Sequence, residues 1–167
     1  ASRDGYRSLI LSDRGVDKEY APIPALLALT VVQNHRGRER KRTQVALLIE
    51  SGEPREVMHF AMLSGYGASA VNPYLAIETL RDLSRRGYLP AGVTPDYAQK
   101  NFIKAINKGL LKTFWKMGIS TLQSYRGAQV IEAIGLKKDL IESYFKGTAS
   151  GIEAVGRECL DPGAQRR

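Results

Sequence analysis

Short apolar runs and longer stretches of helical spacing alternate along the chain. Ser8-Leu9-Ile10-Leu11 is nearly all apolar and ends in the polar turn Ser12-Asp13-Arg14. A short run of that kind, bounded by turn residues, reads as a buried strand. Pro22 to His35 follows as a helix with Ile23, Leu26, Leu27, Thr30 and Val31 on one face. Pro22 and Pro24 suit its first turn, where a missing N–H costs little. Val45-Ala46-Leu47-Leu48-Ile49 repeats the strand pattern. Glu50-Ser51-Gly52-Glu53 then turns into a helix from about Pro54, which ends at Gly65-Tyr66-Gly67. Glycine fits the left-handed position just past a helix.

The weakest strand signal is Ala68-Ser69-Ala70-Val71. Asn72 and Pro73 then stand as N-cap and first residue of another helix. A long helix is expected from Asp96 to Lys116, closed by Gly118. Ile119-Ser120-Thr121-Leu122 reads as a fourth strand, and Val130, Ile131 and Ile134 as the face of a helix closed by Gly135. A last helix covers Lys138 to Phe145. From Lys146 the chain is Gly-rich and polar, and loose order is expected there.

The pattern is four β-then-α units. Repeated βα units imply parallel strands in an α/β fold, either a partial (β/α) barrel or a small open sheet. Residues 1–150 form one domain in this reading, and 151–167 a loosely ordered tail. Exposed strand edges would seek a partner, so self-association is expected.

Composition narrows the function classes. The chain has 167 residues and is 43% hydrophobic, enough for one domain with a core. No apolar run approaches a membrane span, and no signal-peptide core follows Ala1, so a cytoplasmic protein is expected. One cysteine, Cys159, allows neither an internal disulfide nor an iron–sulfur cluster within this chain. His35 and His59 fall on separate helices, which argues against a metal site. The net charge of +8 raises nucleic acid as a partner. The basic run Arg36-Gly37-Arg38-Glu39-Arg40-Lys41-Arg42 reads as a solvated loop instead, because no recognised motif or exposed aromatic accompanies it.

Ligands of parallel α/β folds gather beyond the carboxyl ends of the strands. Asp13 and Arg14 there would form either a charged pair in a pocket or a local turn contact, which is favoured. Glu50 and Glu53 would form either an acid/base pair or carboxylates at a helix N-terminus, where the macrodipole favours them. Ser124-Tyr125-Arg126-Gly127 is a candidate anion site, with a strand, a polar turn and a helix N-terminus in sequence. Without a glycine-rich fingerprint, the bland alternative is that Arg126 pairs with a neighbour and Tyr125 packs. Cys159 has the look of an unremarkable thiol.

Six longer phrases carry a family resemblance. They are Leu9-Ile10-Leu11-Ser12-Asp13-Arg14, Ala21-Pro22-Ile23-Pro24-Ala25-Leu26-Leu27-Ala28 and Glu50-Ser51-Gly52-Glu53-Pro54-Arg55-Glu56-Val57. Gly65-Tyr66-Gly67-Ala68-Ser69-Ala70-Val71-Asn72-Pro73-Tyr74-Leu75-Ala76 continues the series, with Asn101 to Lys112 and Met117 to Gln129 after it. Together they resemble the large subunit of glutamate synthase, in the later part of its central domain approaching the FMN-binding synthase domain. The resemblance implies a parent enzyme that makes glutamate from glutamine and 2-oxoglutarate. It also implies FMN and an iron–sulfur cluster in that parent, neither expected in this segment, and the other domains of the enzyme as partners.

The catalytic N-terminal cysteine and the cluster cysteines of that family are absent here. No catalytic or metal-binding residue therefore carries over, and Ser124 to Gln129 is placed at a domain boundary. The reading is a scaffold segment connecting amidotransferase and FMN sites, inactive alone. Its alternatives are a stand-alone phosphate- or FMN-binding βα module, using Arg126, and a basic nucleic-acid-binding domain.

Overall fold

A computed structural model describes residues 5–40 and 44–156. Among them run β1 (Ser8–Ser12), α1 (Ala25–Arg38), β2 (Ala46–Glu50), α2 (Val57–Gly65), β3 (Ala70–Asn72) and α3 (Tyr74–Arg85). Next come α4 (Pro95–Lys116), α5 (Leu122–Tyr125), β4 (Glu132–Leu136), α6 (Lys138–Tyr144) and β5 (Ala149–Val155). All strand pairs are parallel. They form two small open sheets, β1-β2-β3 and β4-β5, and no closed barrel. The α/β class and the parallel strands are as the sequence implies, and the open-sheet alternative is the one adopted.

Register explains the core. Leu9 lies beside Leu47, and Leu11 beside Ile49, which lies beside Val71. Strand side chains alternate between faces, so these five share one face. Leu47 and Ile49 are buried there with Ala25 and Leu29 of α1, Leu63 of α2, and Ala68. Sequential parallel neighbours joined by crossovers of one hand keep their helices on one side. The other face carries Ser8, Ile10 and Ser12 on β1, Ala46, Leu48 and Glu50 on β2, and Ala70 and Asn72 on β3. Ile10 is 65% exposed. Parallel sheets are normally covered on both faces, so this bare side stands out.

Helix α4 packs on α2 and α3. Gly109 permits its crossing with α2, since a Cβ at that position would overlap the Val57 side chain. Phe60 and Phe102 meet edge-on at 6.3 Å between ring centres across the same contact. The second sheet is a βαβ unit with α6 as its crossover. Leu140, Ile141 and Phe145 anchor it against Leu26, Leu27 and Tyr66. Tyr66 also meets Phe145 edge-on at 5.5 Å, and its hydroxyl is 2.7 Å from Thr148 Oγ1.

Several sequence expectations change. Ile119 to Leu122 is not a strand: Thr121 caps α5 by accepting from Ser124 N at 3.2 Å. The stretch around Val130 to Gly135 is not a helix but leads into β4, with Gly135 at φ 80° inside the strand. The fourth βα unit is thus β4 with α6. Asn72 does not cap α3; it ends β3, and Pro73 holds the N-cap position. Arg36 to Arg38 belong to the last turn of α1 rather than to a loop, and Arg36 is buried, donating to Val45 O. Lys41 and Arg42 lie outside the described residues. Ala149–Val155, where loose order was expected, is strand β5. Every one of its residues is exposed, so pairing with β4 and not burial holds it. Residues 157–167, with Cys159, lie outside the described residues.

Candidate functional site

The three strand ends of the first sheet converge on a polar cluster. Glu50 closes β2 and accepts from Ser12 Oγ of β1 at 2.6 Å and from Asn72 Nδ2 of β3 at 3.1 Å. Arg14 Nε lies 3.0 Å from the same carboxylate. Asp13 accepts from Ser51 Oγ at 2.6 Å and from Gly52 N at 3.1 Å. The Arg14 guanidinium also donates to Glu78 Oε1 at 3.3 Å and stands 4.0 Å over the Tyr74 ring. Glu53 reaches a different element: its carboxylate accepts from Ala25 N at 3.1 Å and so caps α1.

The structure therefore brings Asp13, Arg14 and Glu50 together and sends Glu53 elsewhere. A carboxylate at the helix N-terminus is the role Glu53 takes, though the helix is α1 and not its own α2. Glu78 was missed in the sequence. Its signal was the spacing of four from Tyr74, which places both on one side of the first turns of α3. An open groove of about 910 Å³ borders the cluster, lined in part by Asp13, Glu53, Met58, His59, Tyr74 and Leu75.

Electrostatics fixes the charge states. The Ser12 hydroxyl, then Arg14, hold Glu50 below its ordinary value of 4.5 against the opposing effect of desolvation. The same Glu50 bond raises Arg14. Partial burial, then Asp13, raises the Tyr74 phenol, which stays neutral at physiological pH. Glu50 is thus an anion held by donors from two other strand ends, and the cluster reads as a clasp across the carboxyl ends of the sheet. Because its folded value is depressed, the stabilisation from Glu50 is present above 4.5 and lost as pH falls through the lower folded value. The stability advantage of the native chain over Glu50→Gln is expected to shrink over that acid range, measured by urea unfolding at a series of pH values. An advantage that stays constant down to pH about 3 would remove this role.

Ser124, Tyr125, Arg126 and Gly127 sit elsewhere. Gly127 N donates to Gly65 O at 2.9 Å, at the carboxyl end of α2. Arg126 Nη2 donates to Ala68 O at 2.9 Å, just before β3. Both contacts lie at the amino ends of the strands, away from the Asp13–Glu50 clasp. Ser124 and Tyr125 close the short helix α5, and Arg126 and Gly127 lead on toward β4, so the strand-turn-helix order expected from the sequence is reversed. Tyr125 is 2% exposed and packs on Phe114 at 4.3 Å between ring centres. Burial raises its phenol pKa. Arg126 Nε is buried without a hydrogen-bond partner among the described residues.

No group of three or more His, Cys, Asp or Glu side chains is placed to hold a metal among the described residues. The guanidinium nearest to a phosphate role, Arg126, is turned onto a backbone carbonyl. No helix among the described residues is long and apolar enough to cross a membrane.

Comparison with known families decides the identity of the segment. The family model described as glutamate synthase central domain matches residues 1–137. The chain belongs to the glutamate synthase central-domain family. The match ends just after β4, at the start of α6.

Relatives of the central-domain segment extend over the rest. The chain is 48% identical over 155 residues to a glutamate synthase [NADH] of Schizosaccharomyces pombe, covering 93% of this chain and 7% of that protein. It is 45% identical over 167 residues to the glutamate synthase [NADPH] large chain of Bacillus subtilis, covering 100% of this chain and 11% of that one. Against the chloroplastic ferredoxin-dependent glutamate synthase of Spinacia oleracea the identity is 43% over 176 residues, with 96% and 11% covered. The chain thus spans 7% and 11% of the first two of these relatives.

Proposed function

We propose that the chain is a structural segment of a glutamate synthase, connecting the amidotransferase and FMN sites of the parent enzyme and inactive by itself. The bare face of the β1-β2-β3 sheet carries this reading. A parallel sheet with helices on one side leaves Ile10 in water at 65% exposure, where a complete α/β domain would cover it. Such a surface is complementary to further protein. The relatives supply that protein in quantity, since nine-tenths of their length lies outside this segment.

The partners in this reading are the other domains of the same polypeptide. When the segment is isolated, its bare surfaces also account for an expected self-association. FMN and the iron–sulfur cluster belong to the parent enzyme. The relatives named for NADH, NADPH and ferredoxin are similarly close at 48%, 45% and 43% identity. The segment is therefore assigned to the part shared by all three, not to the part that selects the electron donor. Ser124 to Gly127 serves as a domain-boundary turn, which the hydrogen bonds from Gly127 N to Gly65 O and from Arg126 Nη2 to Ala68 O support.

The direct test is an assay of the isolated chain with glutamine, 2-oxoglutarate and reduced donor. No glutamate is expected. Turnover would overturn the assignment.

A further inference from the structure

The long helix α4 carries a ladder of unpaired cations. Lys100, Lys104, Lys108, Lys112 and Lys116 recur every four residues, and all five are exposed. An α-helix rises 1.5 Å per residue, so they stand about 6 Å apart and span about 24 Å. Among the described residues none of the five makes a hydrogen bond or an ion pair, whereas Lys138 pairs with Glu142 of its own helix and Arg86, the C-cap of α3, with Asp82. Asp96, in the first turn, is the one acid on the helix. Successive helical residues turn by about 100°, which places Lys100, Lys104 and Lys108 within one sector of about 80°. Tyr97, Leu111 and Trp115 fall in that same sector, at 55%, 66% and 78% exposure.

We propose that this face of α4 docks onto an acidic protein surface carried by another part of the same polypeptide. This rests on the reading of the chain as a segment of a longer enzyme. Charge complementarity selects an acidic surface, because a row of ammonium groups without counter-ions repels itself until an acidic face meets it. The interleaved side chains select protein. Exposed aromatics are enriched in interface patches, and lysine stems cover apolar area there while their charged ends reach the polar rim. Nucleic acid fits less well. The ladder holds no arginine, so it lacks the planar fork that grips phosphate in a bidentate way, and Leu111 interrupts the row between Tyr97 and Trp115 on which successive bases would stack. A lipid surface also fits less well, because an interfacial helix separates its apolar face from its lysines, whereas here both occupy one sector. A partner within the same polypeptide is favoured because this chain covers 11% of the Bacillus subtilis relative, most of whose length lies outside it.

The test uses the full-length enzyme, unmodified, so it does not depend on any variant folding. Zero-length carbodiimide cross-linking joins a lysine only to a carboxylate in contact with it. Mass spectrometry should then find Lys104 and Lys108 joined to Asp or Glu outside this segment. An equal mixture of ¹⁴N- and ¹⁵N-labelled enzyme separates links within one polypeptide from links between copies. In parallel, acylation of Lys104 and Lys108 should run about tenfold or more slower than in the unfolded enzyme, as expected for groups freed only by local opening. Links of mixed isotope only would overturn the proposal in favour of a second copy. Fast acylation with no cross-link would overturn it outright, and fast acylation slowed by added single-stranded DNA would replace it with nucleic acid. Should the lysines prove free while Ile10 is protected in the same enzyme, this inference fails and the scaffold reading stands.

Discussion

Tyr125→Ala should destabilise the chain by about 3–5 kcal/mol, the range for deleting a buried aromatic ring from a packed site. The ring is 2% exposed and lies 4.3 Å from Phe114 between ring centres. It also abuts Gly65: a Cβ there would be 3.3 Å from Tyr125 Cε1. Tyr125 therefore joins α4 and α5 to the end of α2, and its loss opens a cavity at the junction of three elements. Tyr125→Phe keeps the ring, and its cost should be small by comparison. Urea unfolding followed by tryptophan fluorescence or circular dichroism would measure both. A large loss for Phe and a small one for Ala would mean that the hydroxyl matters and the packing does not. That outcome would return the Ser124–Gly127 turn to the role of a polar site.

The first sheet was legible in the sequence because its strands are short, apolar and punctuated by turn residues. Leu9 and Leu11, and Leu47 and Ile49, face the core, and the residues between them are apolar enough to make continuous runs. Ile119 to Leu122 is a comparably short run with an apolar residue at each end, yet Thr121 turns it into a helix start by offering its hydroxyl to Ser124 N. Side chains of this type compete with strand pairing through local hydrogen bonds, and a periodicity count does not register them. The opposite error occurred at Val130, Ile131 and Ile134. Their spacing imitates a helical face, but β-branched residues favour strands, and the pairing partner β5 has no apolar pattern to announce it. All seven residues of β5 are exposed, so burial left no mark on that sequence.

The candidate site was legible in part for a similar reason. The turns after β1, β2 and β3 could be named from the chain, since βα topology brings strand ends together whatever their contacts. What Asp13, Arg14 and Glu50 do there depended on cross-strand register. Ser12 pairs with Glu50 in β1–β2, and Glu50 with Asn72 in β2–β3, and that alignment aims two donors at one carboxylate. The reach of Glu53 to the start of α1 also depends on tertiary placement, and the local sequence suggested only its own helix.

The two faces of the first sheet should respond oppositely to truncation. Leu47→Ala is expected to cost about 2–5 kcal/mol, because Leu47 is 1% exposed in the middle strand and its loss leaves a cavity beneath α1 and α2. Ile10→Ala, one strand away on the other face, should stay within about 0.5 kcal/mol in the isolated chain, as for other surface positions. The side chain at position 10 is already 65% exposed there and has little burial to lose. In the full-length enzyme the comparison should change. If the bare face is covered by the rest of the polypeptide, Ile10→Ala becomes a core truncation and its cost rises toward that of Leu47→Ala. The measurement is the shift in unfolding midpoint for each variant in both contexts. A cost for Ile10→Ala that stays near zero in the full-length enzyme would mean that the face remains in water there, and the scaffold reading would lose the observation that carries it.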